Sequence, residues 1–127
     1  MKAILIDVRS KMIKYVEVQK DKDGSYLPSI YALIDCRLIQ GVNLDAKHTL
    51  YVDEEGLLKL ENFFIDKEGN LDSNSHFFVF DGYPQPLIGN GLIIAYNKEG
   101  DKEPIELTLE EIAEKVLFTN LNTLKSL

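Results

Sequence analysis

Gly91-Leu92-Ile93-Ile94-Ala95-Tyr96-Asn97-Lys98-Glu99-Gly100 is the stretch that decides the fold. Its first half is a short apolar, β-branched run, which fits a strand. Its second half is a turn with a mechanism. An Asn or Asp side chain can accept a backbone N–H from its own turn, and the glycine takes a positive φ without steric cost. The same shape, Asp or Asn, any residue, an acid, then Gly, recurs as Asp21-Lys22-Asp23-Gly24, Asp53-Glu54-Glu55-Gly56 and Asp66-Lys67-Glu68-Gly69. The spacing is irregular, so these are recurrent turns and not a repeat. Each sits beside apolar or alternating residues and reads as a hairpin-type connection.

The segments between the turns fit strands. Ala3 to Val8 and Ile13 to Val18 are joined by Arg9-Ser10-Lys11. Arg37 to Leu44 pairs with Thr49 to Val52 across Asp45-Ala46-Lys47-His48. Leu57 to Leu60, Phe77 to Phe80, Gly91 to Tyr96 and Pro104 to Leu107 complete the set. Phe77 to Phe80 is apolar on both faces, so it is either central or covered by a partner.

Two segments read as helices. Tyr26 to Asp35 carries Ile30, Leu33 and Ile34 at helical spacing, with Pro28 tolerable in a first turn. Thr108-Leu109-Glu110-Glu111 is a capping box. Behind it Leu109, Ile112, Ala113, Val116 and Leu117 form one apolar stripe, and Leu121 and Leu124 extend it, so the expected tail is helical over 108–127. With no linker or low-complexity tract, the 127 residues predict one α+β domain: a small antiparallel sheet of hairpins with two short helices.

Composition bounds the function. Fourteen basic against 21 acidic residues give a net charge of −7, which argues against non-specific nucleic-acid binding. Cys36 is the single cysteine, so no internal disulfide forms and a cytoplasmic setting is expected. No apolar run reaches membrane-spanning length, and none at the start suits a signal peptide, so no membrane contact is expected.

Chemistry-bearing patterns are sparse. His48, His76 and Cys36 lack metal-ligand spacing and read as loop or surface histidines and an inert cysteine. Asp66 to Asp72 superficially resembles a calcium loop, but Leu71 occupies its glycine position. Asp53, Glu54 and Glu55 read as a solvated turn and not as an acid–base pair. No cofactor is implied, and a non-enzymatic role is expected. Gly89-Asn90-Gly91 could aim successive amides at an anion, although an ordinary bulge or turn is the plainer account. Phe63, Phe64, Phe77, Phe78, Phe80 and Tyr83 cluster in sequence around a polar loop, and such aromatics pack a core, stack a base or face a partner. Arg9 and Arg37 are the only arginines, hence the only planar forks for an anion.

The order of Ile30-Tyr31-Ala32-Leu33-Ile34-Asp35-Cys36-Arg37-Leu38-Ile39, then Tyr51-Val52-Asp53-Glu54-Glu55-Gly56-Leu57-Leu58-Lys59, then Ile88-Gly89-Asn90-Gly91-Leu92-Ile93-Ile94 and a short C-terminal helix, resembles the phage- and prophage-carried family called domain of unknown function 3846. The likeness covers most of the chain. Residues 62–86 depart from it as an aromatic, polar-looped insertion. The resemblance implies a phage accessory protein in the cytoplasm of an infected bacterial host, and no established activity.

The expectation is therefore a counter-defence protein, a homo-oligomer that binds and sequesters a nucleotide-derived host immune signal. Candidate ligand contacts are stacking by Tyr83 or Phe78, amides at Gly89, Asn90 and Gly91, and charge from Arg37 or Arg9. The alternative is an acidic inhibitor that occupies a nucleic-acid groove on a host protein. A nucleotide hydrolase using the Asp53 cluster or a histidine ranks last. The mimic needs its acids along one continuous face. The sponge needs a local pocket.

Overall fold

The computed structural model describes residues 1–56 and 76–120, with the side chains of His76 and Asn120 excepted. Within them nine strands and two helices follow in the order β1 (Lys2–Asp7), β2 (Met12–Glu17), α1 (Leu27–Ile34), β3 (Ile39–Asn43), β4 (His48–Asp53), β5 (His76–Phe80), β6 (Leu87–Ile88), β7 (Gly91–Tyr96), β8 (Lys102–Glu103), α2 (Leu109–Ala113) and β9 (Val116–Asn120). The antiparallel α+β architecture predicted from the turns is the one observed. The main sheet runs β2-β1-β7-β4-β3, with β8 also paired to β7. A second sheet runs β6-β5-β9.

β1 and β7 are central because they are apolar on both faces. Ala3 and Leu5, with Leu92 and Ile94, meet Ile30 and Ile34 of α1 on one side. Ile4 and Ile6, with Ile93 and Ala95, meet Phe78, Phe80 and Leu87 of the second sheet and Ile112 of α2 on the other. The period-2 alternation of side chains thus sorts each strand between two cores, giving three layers. Complete burial of Ile4, Ile6, Leu92, Ile93 and Ile94 contributes on the order of 2 kcal/mol per side chain relative to exposure.

The recurrent turns share part of one geometry. Asp21 Oδ1 accepts N–H bonds from Asp23 and Ser25, and Asn97 Oδ1 accepts them from Glu99 and Asp101. Gly24 and Gly100 both take φ above +80°. The Asn97 turn joins the β7–β8 hairpin, whereas the Asp21 turn leads from β2 into α1 and so is not a hairpin connection. At the third turn Gly56 has no positive φ. It is small for another reason: an added Cβ would stand 3.4 Å from Ile88 Cβ. The fourth turn and Leu57 to Leu60 lie outside the described residues.

Three expectations are corrected. The helix opened by the capping box ends at Ala113, and Val116 to Asn120 form β9, paired along the whole of β5 from His76↔Asn120 to Phe80↔Val116. The helical tail over 108–127 is therefore a short helix and a strand, while Leu121 and Leu124 lie outside the described residues. The strand expected at Pro104 to Leu107 is instead Lys102–Glu103, with the Ile105 N–H donating to the Lys2 carbonyl. Finally, of the 62–86 region, which is described from residue 76 onward, residues 76–80 form a strand. Phe77, Phe78 and Phe80 are buried within this chain as the central strand of the second sheet, so their apolarity by itself no longer calls for a partner.

Candidate functional site

The main sheet has two ends. The Asp7 end gathers the β1–β2 turn, the segment before β7, the start of β3 and the end of β4. The Lys2 end gathers the end of β3, the start of β4 and the β7–β8 turn. Most of the sequence-predicted ligand residues fall at the Asp7 end, where their groups serve the chain's own structure.

Asn90 is a bracket. Its Oδ1 accepts the Val8 N–H at 3.1 Å, and its Nδ2 donates to the Leu33 carbonyl at 3.3 Å, tying β1 to the end of α1. Gly89 takes φ +83°, and Gly91 starts the buried β7. A Cβ at Gly91 would stand 2.9 Å from both Leu50 Cδ1 and Phe78 Cζ. This glycine is needed for packing. Phe78 is wholly buried against it and cannot stack a ligand, which corrects its place among the candidates.

Arg37 forms a bidentate pair with Glu55, Nε to Oε1 at 2.7 Å and Nη2 to Oε2 at 2.8 Å, although its own side chain is mostly exposed. The hydrogen bonds and charge of Glu55 raise the guanidinium's pKa further. Arg9 is exposed in the β1–β2 turn, where Asp7 Oδ1 accepts its backbone N–H. In strand order β1 and β3 are separated by β7 and β4, so the strands that Arg9 follows and Arg37 precedes lie about 14 Å apart across the sheet. The geometry does not bring them together as one anion clamp.

Tyr83, of the predicted residues, lines a sizeable cleft. It encloses about 460 Å³ between the Lys2 end of β3 and the layer made by the second sheet and α2. Val42, Leu44, Phe80, Leu107 and Ile112 give it an apolar lining. Asn43, Asp45, Asp81, Glu111 and Lys115 supply polar groups. The volume suits a small organic ligand.

Two of those carboxylates are fixed in place. Asp45 Oδ1 accepts the Lys47 and His48 N–H groups at 2.7 and 2.8 Å, and the His48 ring Nδ1 lies 3.0 Å from each carboxylate oxygen. Burial pushes the Asp45 pKa up, but these hydrogen bonds and the imidazole outweigh it and hold the group below its usual value. Glu111 Oε2 accepts the Thr108 N–H at 2.9 Å, while its own N–H donates to Thr108 Oγ1 at 3.1 Å, completing the predicted capping box. His48 is buried and not a surface residue, since it alternates with Leu50 and Val52 on the inward face of β4. Cys36 is partly buried just after α1, where its N–H donates to the Tyr31 carbonyl.

Elsewhere the hydroxyls of Tyr51 and Tyr96 meet in a short hydrogen bond on the α1 side of the sheet, where burial and Tyr51 raise the Tyr96 pKa. Among the described residues no three His, Cys, Asp or Glu side chains gather as a metal site, and no helix is long and apolar enough to cross a membrane.

Sequence reading missed the cleft. Asp45 carried a signal, since Asp-x-x-His in a hairpin turn can place imidazole and carboxylate together. Glu111 and Lys115 carried none beyond helix capping and surface charge.

The family profile described as Domain of unknown function (DUF3846) matches residues 1–118. The chain belongs to this family. The matched span contains the cleft residues from Val42 to Lys115 and both ends of the main sheet. The chain is also 36% identical over 92 residues to the uncharacterized protein y4iR of Sinorhizobium fredii, a match covering 72% of this chain and 47% of that protein. The match thus spans about half the length of that curated relative. No solved structure matches the chain.

Proposed function

We propose that this family member is a non-enzymatic ligand-binding protein that sequesters a nucleotide-derived small molecule in the Tyr83 cleft. The observation carrying this reading is the cleft itself: about 460 Å³, apolar inside, with an aromatic wall and fixed polar groups. Such a cleft offers a stacking surface for a base and acceptors for its donors. In an infected cell the consequence would be removal of a defence signal from its receptor, with no chemistry required of the protein.

The acidic-mimic reading has weaker support. Of the three described acidic turns, those at Asp21 and Asn97 lie at the Lys2 end and that at Asp53 at the Asp7 end. Lys20, Lys22, Lys47, Lys98 and Lys102 are interleaved with the acids near the Lys2 end. A duplex mimic needs a continuous run of one sign.

Calorimetry against cyclic dinucleotides, cyclic trinucleotides and cyclic ADP-ribose isomers tests the proposal. At least one member should bind, and Leu107→Trp, which fills the cleft, should abolish that binding. Absence of heat with every member at millimolar concentration would remove the reading.

A further inference from the structure

The cleft has a sign, and the sign constrains which end of a ligand it holds. Among the described residues that line it, Asp45, Asp81 and Glu111 stand against one cation, Lys115. A phosphate seated among three carboxylates would meet like charge in a partly dehydrated space. A neutral group rich in N–H and O–H donors would meet acceptors instead.

Asp45 is the best-placed acceptor. Its Oδ1 already takes two backbone N–H groups and lies within reach of the His48 ring, whereas Oδ2 has the ring contact alone among these hydrogen bonds. The His48 side chain is 10% exposed and that of Asp45 54% exposed, so a buried imidazole backs a carboxylate that faces outward. A fixed carboxylate of this kind can accept both hydroxyls of a ribose diol, as acidic residues do in dinucleotide sites. Tyr83 and Leu107, partly exposed over the buried Phe80 and Ile112, provide the surface a base needs.

We infer that the cleft seats the nucleoside end of its ligand, with the ribose diol on Asp45 and the base among the apolar residues, and leaves phosphate outside. His48 is the positioning residue for Asp45. The inference rests on the reading that the cleft binds a nucleotide-derived molecule, and it narrows that reading to ligands that keep a free 2′,3′-diol, which cyclic di- and trinucleotides linked through a 2′- or 3′-oxygen do not.

The test is titration of the full chain with adenosine, AMP and 2′,3′-dideoxyadenosine. Adenosine should bind at least as tightly as AMP. Loss of the diol should weaken binding about tenfold or more, the scale of hydrogen bonds to a charged acceptor. Asp45→Asn should weaken adenosine similarly and leave the dideoxy compound unchanged. Since Asp45 also shapes its turn, Asp81→Lys provides a second variant, expected to raise the affinity for AMP relative to that for adenosine. AMP binding tenfold tighter than adenosine to the parent chain would overturn the inference and leave the cleft as a nucleotide site. If no nucleoside, nucleotide or cyclic nucleotide binds, the proposed function falls and the inference falls with it.

Discussion

Asn90 and Asp45 stand at opposite ends of the main sheet and use their polar atoms differently. Asn90 Oδ1 and Nδ2 each bond the main chain of a separate element, Val8 after β1 and Leu33 in α1. Asp45 concentrates its backbone donors on one oxygen, in its own turn, and is itself a lining residue of a cleft. The difference separates a polar side chain that closes a fold from one that can also meet a ligand. The Gly89-Asn90-Gly91 stretch has the composition of an anion nest, yet its residues answer to packing and to two main-chain groups. Asp45 looks like an ordinary turn residue, yet it borders a cleft of about 460 Å³.

The strongest way to break this comparison is at Phe78. If the Asp7 end is structural, Phe78→Ala should cost about 3–5 kcal/mol, as for other large-to-small changes at buried aromatics. Urea denaturation reads this directly. A ligand-stacking Phe78 would instead lose affinity at unchanged stability. Gly91→Ala approaches the same contact from the other side. Its Cβ collides with Leu50 and Phe78, and overpacking of this kind costs about 1–3 kcal/mol.

Asn90→Leu comes next. It strands the Val8 N–H and the Leu33 carbonyl in a partly buried setting, a loss of about 2 kcal/mol. Asn90→Asp sharpens the result, since it keeps the acceptor for Val8 and removes the donor to Leu33. Hydrogen exchange should then show Val8 protected in Asn90→Asp and exchanging faster in Asn90→Leu. Equal exchange in the two variants would contradict the bracket.

Thr108→Ala acts at the other end of the comparison. It removes the acceptor of the Glu111 N–H and should cost about 1 kcal/mol. Because α2 lines the cleft, any ligand found for the cleft should also bind more weakly, whereas Asn90→Asp should leave its affinity unchanged. Thermal melts with and without that ligand would read both effects.

Much of the fold was legible because it is written locally. Asp21 and Asn97 make the turns their side chains allow, Thr108 and Glu111 make the cap, and the β-branched runs at Ala3 and Gly91 become strands. What failed depended on pairing over distance. Val116 and Leu117 fit the helical stripe of Leu109 and Ile112, but Val116-Leu117-Phe118-Thr119 also has the composition of a strand, and pairing with Phe77 to Phe80 decides between the two. The site was less legible still. Tyr83, Asp45 and Glu111 share a cleft only because the second sheet and α2 fold over the main sheet beside the end of β3. Arg37 looked available because it is one of two arginines, and its bidentate partner Glu55 lies 18 residues away.

The smallest expected effect concerns acid. The Asp45 carboxyl has a folded pKa below its usual value. Burial opposes this, but the Lys47 and His48 hydrogen bonds prevail. Asp7 is shifted the same way, with burial again opposing and bonds from Ser10 and Arg9 lowering it. For a depressed carboxyl the stability is present above the unfolded pKa of about 4 and is lost as pH falls through the folded value. The parent chain should therefore lose stability progressively below about pH 4, and Asp45→Asn and Asp7→Asn should each flatten that loss while lowering the neutral-pH plateau. The Asp45 side chain is about half exposed and that of Asp7 about one-fifth, so solvent screens Asp45 more and its change should be the smaller. If the two slopes flatten alike, the groups differ in surroundings and not in how firmly the chain holds them. That would confine the contrast between the ends to what lies in front of each carboxylate: at Asp45, a cleft with room for a ligand; at Asp7, its own hairpin turn and Lys14.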